Sequence, residues 1–229
     1  MKLLVIEGLD GSGKSTQIDL LQNFLTKNKV PYKYLHFPRT DAPFFGELVS
    51  MFLRGDLGDL ANVNPYLVAL IYAGDRNDAK EMILQWLKED HLVLLDRYVH
   101  SNIAFQCAKL KDKSEQEKLK DFIIRLEYEY YKIPKPDLNI FLSVPFSFTE
   151  NKLSSQRSGE DRSYLQGKKD IHEQDLEFQK NVREMYLNSV KDDPNFRLID
   201  CTDGDTSMLP PDKIFEKIIY SLKDNNMIP

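Results

Sequence analysis

Residues 1–16 read MKLLVIEGLDGSGKST, and this stretch determines the fold more strongly than any other part of the chain. Residues 2–7 are mostly apolar and predict a buried strand. Residues 8–15 match the pattern G-x-x-x-x-G-K-[ST], a loop in which glycines let backbone N–H groups point at phosphate oxygens. A helix with apolar residues at helical spacing follows. The stretch therefore predicts a strand, a phosphate-binding loop and a helix in succession, and hence a nucleoside triphosphate ligand.

The phosphate loop assigns chemistry to individual residues. Lys14 is expected to reach the β- and γ-phosphates and to act as a catalytic cation. The hydroxyl of Ser15 is expected to coordinate Mg²⁺, with the carboxylate of Asp96 near the metal at the end of a later apolar run. Asp96 is therefore a predicted catalytic residue as well. The residues predicted to bind the triphosphate are Gly8, Asp10, Gly11, Ser12, Gly13, Lys14, Ser15 and Thr16.

The bulk composition excludes some partners. The 229 residues include 31 Lys and Arg against 36 Asp and Glu, a net charge of −5, which argues against a nucleic acid or an anionic membrane as partner. No apolar run approaches the roughly 20 residues of a membrane span. The two cysteines, Cys107 and Cys201, have no metal-ligand spacing and indicate free thiols in a reducing compartment. With a strand and phosphate loop starting at once, we expect a cytoplasmic protein without a signal peptide.

Apolar strand patterns alternate with helical patterns along the chain, which is typical of a parallel α/β sheet. Strands are predicted at residues 2–7, 32–37, 91–95, 137–144 and 196–200. The predicted fold is a three-layer α/β/α arrangement around a five-stranded parallel sheet, in a single domain over residues 1–229. Residues 151–169 are rich in Ser, Gly, Arg and Lys and have little apolar periodicity, so we predict an arginine-containing lid at about 151–170.

Helices are predicted between these strands. The pair Asn64-Pro65 is a good helix start, because Asn caps the first turn and Pro suits its first position, and the helical pattern continues to about residue 88. Further helices are predicted at 44–53, 114–131 and 171–190, and from Pro211 to about residue 222.

The chain lacks the marks of several phosphate-loop classes. It has no N-K-x-D motif for guanine, and the loop lacks the second lysine of a partitioning ATPase. A small kinase remains.

Arg39 and Arg97 each follow a predicted strand, so both are expected at the carboxyl edge of the sheet, where two guanidinium groups suit an acceptor that already carries a phosphate. The nearest carboxylate after the second strand is Asp41, which disfavours a nucleoside acceptor needing a base. A deoxynucleoside kinase, another pyrimidine nucleoside monophosphate kinase and a non-catalytic nucleotide-binding scaffold remain as alternatives.

With these residues in order, the chain resembles the thymidylate kinase (dTMP kinase) family over most of its length. The matching pieces are EGLD at 7–10, FPR at 37–39, YAGDR at 72–76, DRY at 96–98 with Ser101, AFQ at 104–106, PKPDL at 134–138 and YLQG at 164–167. The resemblance implies phosphorylation of dTMP to dTDP with ATP as donor and Mg²⁺ as cofactor, by direct in-line transfer in a homodimer.

The resemblance also implies roles for the substrate-binding residues. Asp10 would bind the 3′-hydroxyl of dTMP, and Arg39 and Arg97 would hold its phosphate. Tyr72 would stack on thymine and Arg76 would donate to a thymine carbonyl. Asn102 or Gln106 would contact the edge of the base, and Phe105 would crowd the 2′ position of the sugar. The further residues expected to bind the substrate are Tyr98, Ser101 and Tyr164.

The catalytic cation beyond Lys14 is expected in the lid. Some relatives carry an arginine within the phosphate loop, where this chain has Gly11. Arg157 or Arg162 would therefore reach the transferred phosphoryl group, and Arg97 would act beside it as a further catalytic residue.

Overall fold

A five-stranded parallel sheet forms the centre of the part of the chain that the structure describes. The structure, a computed structural model, describes residues 2–60, 62–154, 160–168, 170–173, 175–204 and 207–228. The strands of the sheet lie in the order β2-β3-β1-β4-β5, and every pairing is parallel. Their bounds are β1 Lys2–Gly8, β2 Tyr32–His36, β3 Leu92–Asp96, β4 Leu138–Ser143 and β5 Phe196–Asp200. The predicted five-stranded parallel sheet is confirmed.

Helices cover both faces of the sheet because the central strands are apolar on both sides. Leu4 and Ile6 of β1 pack with the helices over Lys14–Lys27 and Pro211–Asp224, whereas Leu3 and Val5 point to the other face and pack with the helices that lie between residues 65 and 124. This alternation produces the three predicted layers. The helices are α1 Lys14–Lys27, α2 Phe45–Leu53, α3 Pro65–Asp78, α4 Lys80–Lys88, α5 Val99–Cys107, α6 Lys113–Ile124, α7 Phe146–Ser154, α8 Leu176–Asp192 and α9 Pro211–Asp224. None of the described helices is long and apolar enough to cross a membrane.

Side-chain caps begin several of these helices. The Asn64 side chain accepts a hydrogen bond from the backbone N–H of Tyr66 at 2.9 Å, and Pro65 occupies the first position of α3, as predicted. Asp112 and Asp175 accept from backbone N–H groups in the first turns of α6 and α8 in the same way. Each cap satisfies a donor that the helix itself leaves unpaired, so these starts are readable from sequence.

Two helical predictions were wrong in extent, and one helix was not predicted. The helix predicted over 114–131 is α-helical only to Ile124 and continues as a π-helix over Arg125–Tyr130, a widened turn that brings Glu127 into the core. The helix predicted from residue 171 begins at Leu176, because residues 170–173 form turns that pack against the cleft. Helix α5 was not predicted, since nearly all its residues are buried, polar ones included, and it has no exposed polar face to reveal a helical period.

The predicted lid lies partly outside the described residues. It begins within α7 and includes a 3₁₀-helix over Glu160–Leu165. Residues 155–159, which include Arg157, lie outside the described residues, and so does the side chain of Arg162. A two-stranded antiparallel hairpin, β6 Thr202–Asp203 with β7 Ser207–Met208, follows β5 and was not predicted.

We expect Gly46→Ala to destabilise the protein by about 1–3 kcal/mol. A Cβ atom at Gly46 would overlap the backbone carbonyl of Arg39 and crowd Thr40, and neither group is a flexible side-chain end that could move aside. Urea unfolding should show the loss, while Glu47→Ala, at the exposed neighbouring position, should change stability by less than about 0.5 kcal/mol. Equal stability of the two variants would contradict this close backbone approach.

Candidate active site

A cleft opens at the carboxyl ends of β1, β2 and β3, where ligands collect in open parallel sheets. Its volume is about 1230 Å³. Most residues predicted to bind substrate or triphosphate line it: Asp10, Gly11, Ser12, Gly13, Lys14, Ser15, Thr16, Arg39, Tyr72, Arg76, Asp96, Arg97, Ser101, Asn102, Phe105, Gln106 and Tyr164. Gly8 lies behind the loop at the end of β1. Tyr98 is fully buried, its ring against Phe37 and its hydroxyl donating to the carbonyl of Pro134, so it is a predicted substrate residue that does not line the cleft.

The phosphate loop joins β1 to α1 as the sequence predicts. Gly11 and Gly13 have φ of 73° and 81°, in the left-handed region that glycine adopts readily. The Lys14 ammonium is buried and donates to the carbonyl of Leu9 at 3.1 Å. Burial, reinforced by the nearby Arg97 cation, lowers the pKa of Lys14 to about 8. Anionic phosphates in the loop would favour the charged form of Lys14, so the loop suits a negatively charged ligand.

Asp96 presents one carboxylate oxygen that fits a divalent cation. Its Oδ2 atom lies 3.0 Å from His36 Nδ1, while Oδ1 is buried and has no hydrogen-bond partner among the described residues. Burial acts to raise the pKa of Asp96, but the His36 hydrogen bond and the Lys14 charge outweigh it, so the pKa lies below its usual value. Ser15 is exposed in the same cleft. Such oxygens suit Mg²⁺, which binds through one or two protein ligands plus phosphates and water; no cluster of three or more metal-ligating side chains occurs among the described residues.

Arg97 is held rigidly beside the phosphate loop. Its backbone has φ of 67°, uncommon for a residue other than glycine, and its N–H donates to the carbonyl of Ile6 at 3.0 Å. Its Nη2 donates to Asp10 Oδ1 at 2.7 Å, and its Nη1 lies 3.3 Å from the hydroxyl oxygens of both Ser101 and Tyr186. Burial acts to lower the pKa of Arg97, but Asp10 and other charges raise it above its usual value, so the guanidinium stays charged.

A fully buried carboxylate, Glu7, holds the two hydroxyl groups that contact this arginine. It accepts hydrogen bonds from the backbone N–H groups of Tyr98 and Ser101 at 2.9 and 3.2 Å, and from the hydroxyls of Ser101 and Tyr186 at 2.5 and 3.0 Å. Glu7 therefore fixes the start of α5 and the hydroxyls that face Arg97. Neither Glu7 nor Tyr186 was predicted as a site residue. A charged residue inside an apolar strand was the available signal for Glu7.

Arg76 and Asn102 share a second buried carboxylate, Glu127. Arg76 is 2% exposed and donates through Nε and Nη2 to the two Glu127 oxygens, at 2.5 and 2.7 Å. The Asn102 amide donates to Glu127 Oε1 at 2.9 Å. This bidentate pair fixes the plane of the guanidinium. Glu127 was not predicted as a site residue, because it meets Arg76 only through the π-helix.

Arg39 is anchored to the last two turns of α3. Its Nε donates to Asp75 Oδ1 at 2.8 Å and its Nη2 to Asp78 Oδ2 at 2.6 Å. Asp75 also accepts from the Arg39 backbone N–H at 2.9 Å. The structure therefore places Arg39 at the rim of the cleft with its side chain already oriented by two carboxylates.

Aromatic rings and a histidine form the wall opposite the phosphate loop. The Tyr72 ring lies edge-on to Phe52, with centroids 6.4 Å apart. The Phe105 ring lies under the Arg97 guanidinium, 5.1 Å from its carbon, and 4.9 Å from the ring of His172. Burial lowers the pKa of His172 well below its usual value, so the imidazole is neutral. His172 lines the cleft but was not predicted as a site residue, since the sequence places it in the helix predicted at 171–190.

The carboxylate of Asp170 lines the same cleft as Asp10, close enough for the two negative charges to interact. It accepts from the Tyr164 hydroxyl at 3.1 Å and from the His172 backbone N–H at 2.8 Å. Burial, reinforced by the negative charge of Asp10, raises the pKa of Asp170 to about 7. Asp170 was also missed from the sequence, where an isolated aspartate in a polar loop gives no signal.

We expect the melting temperature of Asp170→Asn, relative to that of the wild type at the same pH, to increase as pH rises from about 5 to about 8. The folded state holds the Asp170 proton to a higher pH than the unfolded state does, so this contribution to stability is present below the unfolded pKa and is lost as pH rises through about 7. Asparagine is neutral throughout and escapes that loss. Calorimetry at both pH values measures the effect, with the exposed Asp121→Asn as control. A gain independent of pH would contradict the assignment.

The parts of the site define the class of protein. A phosphate-binding loop, a buried arginine linked to it through Asp10, and an aromatic pocket beside both are the parts of a phosphate-loop kinase that acts on a nucleotide. The family model for thymidylate kinase matches residues 6–207. The chain therefore belongs to the thymidylate kinase family.

Individual relatives agree with this assignment. The chain is 31% identical to the thymidylate kinase of Mycobacterium tuberculosis over 80% of this chain and 83% of the relative. It is 31% identical to a probable thymidylate kinase of Methanococcus maripaludis over 97% of this chain and 96% of the relative. Its fold is similar to that of thymidylate kinase from Candida albicans, with a TM-score of 0.72 and 24% identity over 98% of this chain and 92% of that one. The family assignment favours ATP-dependent phosphorylation of dTMP over the alternatives left open by the sequence.

Proposed function

We propose that this chain transfers the γ-phosphoryl group of ATP to dTMP through the residues of the described cleft, giving dTDP and ADP. The observation that carries the proposal is the ion pair between Arg97 and Asp10 at 2.7 Å, because it joins a phosphate-binding cation to the donor loop itself. Donor and acceptor phosphates would then lie side by side, which is the arrangement that direct transfer needs.

The donor phosphates would occupy the loop. Backbone N–H groups of residues 11–15 and the Lys14 ammonium would hold the β- and γ-phosphates, with Thr16 beside them in the cleft. Gly8, behind the loop, would support its shape rather than contact ATP. Ser15 and Asp96 would hold Mg²⁺, which when bound neutralises charge on the phosphates. The Oδ1 atom of Asp96, which has no hydrogen-bond partner in the described part of the chain, supports this role.

The acceptor phosphate would bind Arg97, with Arg39 at the rim. An oxygen of the dTMP phosphate would attack the γ-phosphorus as the bond to the β-phosphate oxygen breaks. This oxygen is already anionic, so the step needs no general base and depends on positioning and charge neutralisation. Asp10, Ser101 and Tyr186 hold the Arg97 guanidinium in place for this purpose.

The thymine ring would lie against Tyr72, with its edge toward α5 and Arg76. Arg76, oriented by Glu127, would donate to a thymine carbonyl. The Asn102 Oδ1 atom is buried without a partner among the described residues and is an acceptor for the thymine N3–H. Gln106 would meet the same edge, while Tyr164, linked to Asp170, would close the pocket.

The sugar would lie between Asp10 and Phe105. Asp10 would accept a hydrogen bond from the 3′-hydroxyl, and Phe105, 6% exposed and held by Arg97 and His172, would leave little room at the 2′ position. Arg157 or Arg162 would approach the transferred phosphoryl group from the lid. We also expect a homodimer; the exposed Leu67 and Leu70 on α3 support an apolar contact surface there.

Steady-state ADP release over a panel of acceptors tests the proposal. We expect the highest kcat/KM with dTMP, lower values with dUMP, UMP, dCMP and AMP, and the lowest with free thymidine. Highest activity with thymidine would overturn the monophosphate acceptor, and preference for UMP over dUMP would overturn the role of Phe105. ADP release that no acceptor stimulates would favour a nucleotide-binding scaffold.

A further inference from the structure

Two amide side chains of α5 line the base side of the cleft, and other residues determine which end each amide presents. Asn102 and Gln106 are four residues apart and share one face of the helix. Both are almost fully buried, at 2% and 1% exposure. An amide has a donor end and an acceptor end of similar size, so its neighbours decide which end is offered to a ligand.

Asn102 is fixed with its acceptor free. Its Nδ2 donates to the carbonyl of Ala69 at 3.0 Å and to Glu127 Oε1 at 2.9 Å. Its Oδ1 has no partner among the described residues. Because both neighbours are acceptors, the amide cannot turn around without losing two hydrogen bonds, so Asn102 offers an acceptor.

Gln106 is fixed in the opposite sense by Lys109. The Lys109 ammonium donates to Gln106 Oε1 at 2.7 Å. An ammonium has donors and no acceptor, so only the carbonyl end of the amide can face it. The Nε2 donor is then the end of Gln106 that is available to a ligand in the cleft.

Lys109 is itself held in place from two sides. Its backbone N–H donates to the carbonyl of Gln106 at 3.2 Å, just beyond the end of α5. Its ammonium lies 4.4 Å from the centroid of the Phe52 ring, which belongs to α2 and packs edge-on to Tyr72. The side chain therefore bridges α5 to the wall of the proposed base pocket without lining the cleft.

We propose that Lys109 is a positioning residue that holds the Gln106 amide with its donor toward the acceptor base, and so helps the site select a dioxopyrimidine over an aminopyrimidine. This inference rests on the proposed function. Thymine offers carbonyl acceptors beside its N3–H donor, which match a Gln106 donor and an Asn102 acceptor. Cytosine reverses both groups at that edge, with an N3 acceptor and an exocyclic amine donor, so it would leave buried groups unpaired.

Lys109→Met and Lys109→Arg test the inference through the ratio of kcat/KM for dTMP to that for dCMP. Burial lowers the pKa of Lys109 to about 7, so assays at about pH 6 keep the ammonium form in the wild type. Methionine cannot hold the amide, and we expect the ratio to fall about tenfold, mainly through a higher KM for dTMP, with the KM for ATP and kcat little changed. Arginine also only donates, so it should retain the ratio.

A double-variant cycle separates positioning from general damage. In a Gln106→Met background, Lys109→Met should leave the ratio where the single Gln106 variant puts it, because the amide it positions is gone. The exposed Lys111→Met controls for loss of charge. An unchanged ratio in Lys109→Met, or a further fall in the double variant, would overturn the inference. Either result would leave the proposed dTMP kinase function unaffected. A wild type that fails to phosphorylate dTMP would instead overturn the proposed function.

Discussion

Lys14→Met should lower kcat by about 10³-fold, the largest loss that we expect from a single substitution in this chain. The ammonium is the one cation built into the phosphate loop, and it is buried against the Leu9 carbonyl, where charge interactions are weakly screened. Its loss removes stabilisation that grows as negative charge spreads over the transferred group. Methionine keeps the length and packing of the side chain. It also removes the cost of burying a charged ammonium, the same cost that lowers the Lys14 pKa, so the fold should be retained.

Single-turnover kinetics at saturating ATP would measure this loss separately from weaker ATP binding. Lys27→Met, in the last turn of the same helix and exposed, is the matched control and should retain wild-type kcat. A fall of less than about tenfold in Lys14→Met would contradict the role of the loop lysine in the transfer step.

Arg97→Met should lower kcat/KM for dTMP by about 10²-fold or more while ATP binding changes by less than about threefold. The variant loses the charge that would hold the acceptor phosphate. It also removes the 2.7 Å ion pair of Asp10, whose negative charge would then repel the incoming phosphate. The donor site keeps Lys14 and the backbone N–H groups of the loop, which is why ATP binding should persist.

Calorimetric titration of a non-hydrolysable ATP analogue and of dTMP separates the two effects. Arg197→Met, on β5 and away from the cleft, is the control for removing an arginine. A melting temperature close to that of the wild type would show that the fold survives. Loss of ATP-analogue binding with normal dTMP binding would reverse the assignment of Arg97 to the acceptor.

Local signals in the sequence were sufficient for the architecture. The strand, loop and helix of residues 1–27 are encoded by apolar residues, glycines and helical period that follow one another without a gap. The Asn64 cap was readable because its chemistry lies within three residues. The grouping of Arg39, Arg76 and Arg97 in one cleft followed from the rule that parallel strands end at the same edge and from the family resemblance.

The parts that could not be predicted depend on contacts between distant segments. Glu127 reaches Arg76, 51 residues away, through a π-helix that has no distinguishing sequence pattern. The left-handed backbone of Arg97 is tolerated because Glu7 and Asp10 hold its surroundings. His172 became part of the site through aromatic contacts with Phe52, Phe105 and Phe178 that no local window contains.

We propose that a phosphoryl group passes directly from ATP to dTMP in this cleft. Incubation of the protein with γ-phosphate-radiolabelled ATP, dTMP and Mg²⁺, followed by chromatographic separation of the nucleotides, tests it most directly. We expect the label to appear in dTDP in an amount equal to the ADP formed. Label confined to inorganic phosphate, or transferred to thymidine but not to dTMP, would contradict it.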